Sequence, residues 1–86
     1  MNQARWHVYI LECADSTLYT GVARDLADRI ARHNAGQGAR YTRGRGPVHL
    51  VYAEPAADRA AAQRREHAIK RLSAASKRRL IADGAT

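Results

Sequence analysis

The sequence predicts one small α/β (α+β) domain with the element order ββαβαα. Three observations support this. Two stretches rich in β-formers are split by a short polar turn. Two aspartates each stand before a helical pattern, with a third β-rich stretch between those helices. The chain has 86 residues, enough for a single domain with a modest core.

Trp6–Glu12 holds Trp6, Val8, Tyr9 and Ile10 and reads as a strand. Residues 14–17 (Ala-Asp-Ser-Thr) are a turn by composition, and residues 18–23 form the second strand of a hairpin. The parity of the connecting loop decides where the tyrosines point. An even loop pairs Cys13 with Leu18 and puts Tyr9 and Tyr19 on opposite faces. An odd loop, or a bulge, pairs Tyr9 with Gly21 and Leu11 with Tyr19, so that both phenols share a face. Gly21 then stands across from Tyr9 with no side chain to obstruct a substrate.

Asp25 is placed to cap a helix running to about residue 34, with Leu26 and Ile30 inward and Gly36 placed to end it. Arg29 and His33 lie one turn apart on an adjacent face. Residues 36–47 read as a mobile, basic, glycine-rich loop. Residues 48–54 read as the third strand. Asp58 caps an alanine-rich helix to about residue 72, whose expected buried stripe is Ala61, Arg65, Ala68, Ile69 and Leu72. Ser73 caps a last helix carrying Leu80 and Ile81. The sheet of three strands is mixed or antiparallel on this reading.

The formal charge is +7 and the pI about 10.5. Residues 29–53 contain five arginines and no acid, and residues 64–79 contain Glu66 alone against seven cations. Two basic blocks in so small a domain point to a polyanion, first of all nucleic acid. A single cysteine, Cys13, gives no internal disulfide and reads as a small buried apolar residue. There is no spanning hydrophobic run and no signal peptide, so a cytoplasmic location is expected. Neither a dinucleotide fingerprint nor a zinc pattern is present.

The residues with chemical content are few. A free phenol is ionised in only about one molecule in a thousand at neutral pH, so Tyr9 and Tyr19 need nearby positive charge to activate water. Arg29 offers a planar fork for a phosphate. His33 can donate to a phosphate or shuttle a proton. Glu66 can pair with Lys70 one turn on, or hold a magnesium ion whose other ligands are water and phosphate. Arg40, Arg43, Arg45 and Lys70 can hold a nucleic-acid backbone, with Tyr41 available to stack on a base.

His7-Val8-Tyr9, then nine residues, then Tyr19-Thr20-Gly21, followed by Arg29 and His33, resembles the GIY-YIG nuclease family. Residues 36–44 and 66–70 resemble its small stand-alone bacterial members. The resemblance spans about residues 6–81. It implies a three-stranded antiparallel sheet and one divalent metal, Mg²⁺ or Mn²⁺, on Glu66. It implies that Tyr9 and Tyr19 position or activate water, and that Arg29 steadies the phosphate. His7 and Thr20 depart from the family tripeptides. Many members place an asparagine beyond the metal-binding glutamate; here the asparagines are Asn2 and Asn34. The resulting expectation is a metal-dependent endonuclease for DNA, of low sequence specificity, with RNA open and no organic cofactor or membrane partner. Within it, Tyr9 is the first choice for taking the proton from water. The alternatives are a nucleic-acid-binding module that lost catalysis, and a domain meeting an acidic protein.

Overall fold

The computed structural model describes residues 5–84. Residues 1–4, including Asn2, and residues 85–86 lie outside the described residues. The order is β1 (Trp6–Glu12), β2 (Leu18–Ala23), α1 (Leu26–Asn34), a single 3₁₀ turn (Arg40–Thr42), β3 (His49–Ala56), α2 (Arg59–Lys70) and α3 (Ala74–Gly84). The sheet is antiparallel with strand order β2-β1-β3.

The hairpin takes the odd form. Glu12 pairs with Leu18, which leaves residues 13–17, five in number, as the turn. Tyr9 stands opposite Gly21 and Leu11 opposite Tyr19. The turn is held by Cys13 N–H to Thr17 O (2.8 Å) and by the Asp15 carboxylate, which accepts from the Thr17 amide at 3.1 Å. Ser16 sits at φ 69°, a left-handed conformation that a short polar side chain tolerates better than a branched one.

Both aspartate caps form. The Asp25 carboxylate accepts from Asp28 N–H at 3.0 Å, and that of Asp58 from Ala61 N–H at 2.8 Å. Ser73 Oγ accepts from Ser76 N–H at 3.1 Å ahead of α3. Beyond α1, Gly36 takes φ +79°, a conformation a larger side chain would resist.

Alternation along β1 builds two cores. On one face Tyr9, Leu11, Cys13, Ala23 and Val48 are buried, with Tyr19, Leu26 and Ile30 packed against them. On the other face Val8, Ile10, Ala62 and Ile69 are buried beneath Trp6, Val22, Leu80 and Ile81. The stripe expected on α2 is therefore rotated. Ala62 and Ile69 are fully buried and Glu66, between them, is half-buried; Arg65 and Ala68 are exposed and Leu72 is 38% exposed. Alanines on several faces of this helix leave its inward side to be set by Ile69 alone.

The basic loop is also corrected. It is tied down at several points rather than free. Asn34 bonds the Val48 backbone with both ends of its amide: Oδ1 accepts from N–H at 2.7 Å and Nδ2 donates to O at 3.3 Å. Arg45 O accepts from Ala14 N–H at 2.8 Å, and Arg45 Nη1 meets the Asp15 carboxylate at 2.6 Å. Thr42, in the middle of the loop, is 1% exposed.

Candidate functional site

The odd turn brings Tyr9 and Tyr19 onto the face covered by α1, with ring centres 6.4 Å apart. Cap geometry at Asp25 sets the phase of α1, so that His33 enters the same space and is 3% exposed. Its ring centre lies 6.2 Å from that of Tyr9 and 5.4 Å from that of Tyr19. Tyr9 Oη and His33 Nε2 share a hydrogen bond of 3.1 Å. On the far side of the imidazole, Nδ1 is 2.8 Å from Thr42 Oγ1, and that hydroxyl reaches Ala39 O at 2.9 Å.

Two glycines leave room for this cluster. A Cβ on Gly21 would lie 2.6 Å from Tyr9 Oη and 3.0 Å from Tyr19 Cε2. A Cβ on Gly38 would lie 2.2 Å from His33 Nδ1. Gly21 thus serves the Tyr9 hydroxyl directly, and its missing side chain is filled by the two phenols rather than by open space.

Arg29 is exposed one turn before His33 and forms no ion pair among the described residues. Asp25, a possible partner for it, is used as the cap, and the α1 ion pair is instead Arg32–Asp28 at 3.0 Å. Glu66 comes from the opposite layer on α2, with its side chain 15% exposed and 3.2 Å from Lys70 Nζ. The predicted i,i+4 pair therefore forms.

The electrostatics of the cluster are mutual. Burial, then Tyr19, pushes the Tyr9 hydroxyl far above the ordinary tyrosine range; Arg29 opposes this and Glu66 adds to it. The Tyr19 hydroxyl is also raised, by burial first, with Lys70 and Arg29 lowering it and Glu66 raising it. Burial and then Arg29 lower the His33 pKa, which keeps the imidazole neutral. Arg29 from α1 and Glu66 from α2 thus bear on both phenols, and Lys70 on Tyr19. With no added positive charge, both phenols stay protonated at neutral pH.

A metal fits Glu66 in one manner only. Among the described residues no three or more His, Cys, Asp or Glu side chains gather into an all-protein cage. A half-buried lone carboxylate suits magnesium, which keeps several waters and takes phosphate oxygens from a substrate. Lys70 would yield to such an ion and be freed toward phosphate.

The expected backbone contacts differ in state. Arg40 and Arg43 are exposed and without ion pairs among the described residues. Arg45 is engaged, paired with Asp15 and lying 4.5 Å above the Tyr41 ring. Tyr41, 41% exposed, stacks on Tyr19 with centres 5.9 Å apart at 27°. One face of Tyr41 is therefore already occupied by a site tyrosine. Next to it a cleft of about 340 Å³ opens between the hairpin turn and α3, where Thr17, Leu18, Ala74 and Lys77 meet.

Sequence reasoning missed Thr42, Gly38 and Asn34. Their roles depend on where the loop folds back, which no local pattern announces. The one available signal was the set of small residues (Gly36, Gly38, Ala39) between the helix and Thr42, which permits a close return.

Residues 5–79 match the model of the GIY-YIG catalytic domain. The chain is 56% identical over 77 residues to a UPF0213 protein of Natronomonas pharaonis, covering 90% of this chain and 91% of that one. It is 47% identical over 78 residues to a UPF0213 protein of Staphylococcus saprophyticus, covering 91% and 95%. The solution structure of a UPF0213 protein from Bacillus halodurans superposes with a TM-score of 0.59 at 44% identity, over 91% of this chain and 83% of that one. That of a protein from E. faecalis gives 0.64 at 31% identity, over 95% and 88%. The antiparallel β2-β1-β3 sheet, the two tyrosines sharing one face with Gly21 opposite Tyr9, and these matches together place the chain in the GIY-YIG nuclease family.

Proposed function

We propose that this domain is a divalent-metal-dependent endonuclease acting on DNA. The observation that supports it is the hydrogen bond between Tyr9 and a neutral, buried His33, set within the fields of Arg29 and Glu66. Tyr9 takes a proton from the attacking water as its own O–H proton passes to His33 Nε2. The phenol thus never needs to hold a full negative charge, which its burial opposes. Water oxygen bonds to phosphorus, and the departing oxygen leaves with a proton from solvent. Arg29 stabilises the phosphate charge that grows in this step. Tyr19 orients the water, and Arg40, Arg43 and Lys70 hold the backbone without reading sequence. Mg²⁺ or Mn²⁺ bound through Glu66 would supply positive charge at the scissile phosphate.

The test is cleavage of a labelled DNA panel with and without Mg²⁺ or Mn²⁺. Metal-dependent products from the wild type, lost in Glu66→Ala and Arg29→Ala while binding persists, are expected. Salt-sensitive binding with no products under any metal would instead mark a nucleic-acid-binding module.

A further inference from the structure

Thr42 is not a ligand-facing residue. It is 1% exposed, lies in the 3₁₀ turn and touches His33 from the side away from Tyr9. Its chemistry nonetheless decides what the imidazole can do. A hydroxyl has one proton to give. The Thr42 hydroxyl lies 2.9 Å from Ala39 O, a carbonyl that can only accept, so its proton goes there. Toward His33 Nδ1, 2.8 Å away, the same oxygen offers only lone pairs. Nδ1 must then carry the ring hydrogen. A neutral imidazole holds one such hydrogen, so Nε2 is left with its lone pair pointing at the Tyr9 hydroxyl. Gly38 closes the remaining approach to Nδ1, where even a methyl group would lie 2.2 Å from the nitrogen.

We propose that Thr42 is a positioning residue, which fixes His33 as the Nδ1–H tautomer so that Nε2 can receive the Tyr9 proton. The chain runs Tyr9 O–H to Nε2, Nδ1–H to Thr42 Oγ1, and Thr42 O–H to Ala39 O. All three donors are satisfied in one direction only. After transfer the imidazolium keeps its Nδ1–H bond to Thr42, so the charged ring stays anchored where it formed. The catalytic value of this arrangement rests on the reading of Tyr9 and His33 given above; the tautomer itself does not.

The experiment reads the two ring nitrogens of His33 by long-range ¹H–¹⁵N correlation in the full chain, for the wild type, Thr42→Ser and Thr42→Val. The wild type and Thr42→Ser should show a protonated Nδ1 and a bare Nε2. Thr42→Val, of nearly the same shape, should move the ring toward the Nε2–H form. If cleavage is established, it should fall about a hundredfold in Thr42→Val and recover in Thr42→Ser. A wild-type ring protonated at Nε2, or a Thr42→Val ring unchanged from wild type, overturns the proposal. A wild type that shows the Nδ1–H signature but never cuts DNA overturns the nuclease reading and leaves the tautomer assignment standing.

Discussion

Val8 and Tyr9 are neighbours in β1, 0% and 1% exposed, yet they face opposite layers of different character. Below Val8 the packing is mainly apolar, with Ile10, Ala62 and Ile69, then Leu80 and Ile81; Thr20, across from Ile10, is its buried polar residue, and Glu54 pairs with Arg65 at its edge. Around Tyr9 the burial is just as complete but shared with polar groups, His33 and Thr42, joined in one hydrogen-bonded line. The first layer holds the domain together by area removed from water. The second uses the same dryness to raise a phenol and neutralise an imidazole. One strand thus separates stability from chemistry by the parity of its positions.

That division can be broken most sharply at its polar side. Tyr9→Phe should lower cleavage by about 10²–10⁴ in a steady-state assay. Its folding cost should be smaller, about 1–3 kcal/mol, from leaving His33 Nε2 buried without a donor. A variant that still cuts at the wild-type rate would remove Tyr9 from the chemistry. On the apolar side the balance reverses. Ile69→Ala should cost about 2–4 kcal/mol in urea unfolding, while folded protein retains its metal-dependent rate within a few fold.

Acid gives a third probe. The His33 pKa is lowered in the folded state, so the unfolded chain binds the proton better. Its contribution to stability is whole above the unfolded value of about 6.5 and is lost as pH falls through the lower folded value. The stability advantage of wild type over His33→Gln should therefore shrink between pH 7 and pH 5, as measured by denaturant midpoints. The smallest effect is expected at Leu72. Being 38% exposed, its truncation to Ala should change stability by about 1 kcal/mol or less, against the larger loss at Ile69.

Much of this was legible in the residues. Asp25, Asp58 and Ser73 marked helix starts, since a short polar side chain before an apolar repeat has one main use. The order of elements and the inward Leu26 and Ile30 followed from spacing. The hairpin parity did not, because residues 13–17 suit either loop length until Asp15 is seen bonding Thr17. The α2 stripe was misplaced because alanine fills any face: Ala62, which with Ile69 flanks Glu66, carries the burial expected of Ala61 and Ala68. The loop was misread as free because arginine and glycine suggest mobility, whereas Asn34, Thr42 and Arg45 pin it through partners distant in sequence. Tyr9, Tyr19 and His33 were recognisable as candidates, but the hydrogen-bonded order of Tyr9, His33 and Thr42 was a property of the folded chain alone.

The five-residue hairpin turn has a consequence for how this protein tolerates change. Substitutions there alter local comfort, but inserting or deleting one residue would rotate every later side chain of β2 to the other surface. Tyr19 would leave its partner, Gly21 would no longer admit the Tyr9 hydroxyl, and Val22 would be thrust among polar groups. Length, rather than identity, is what selection must guard between Glu12 and Leu18. Single-residue indels there should be silenced in any functional library even where point variants are accepted.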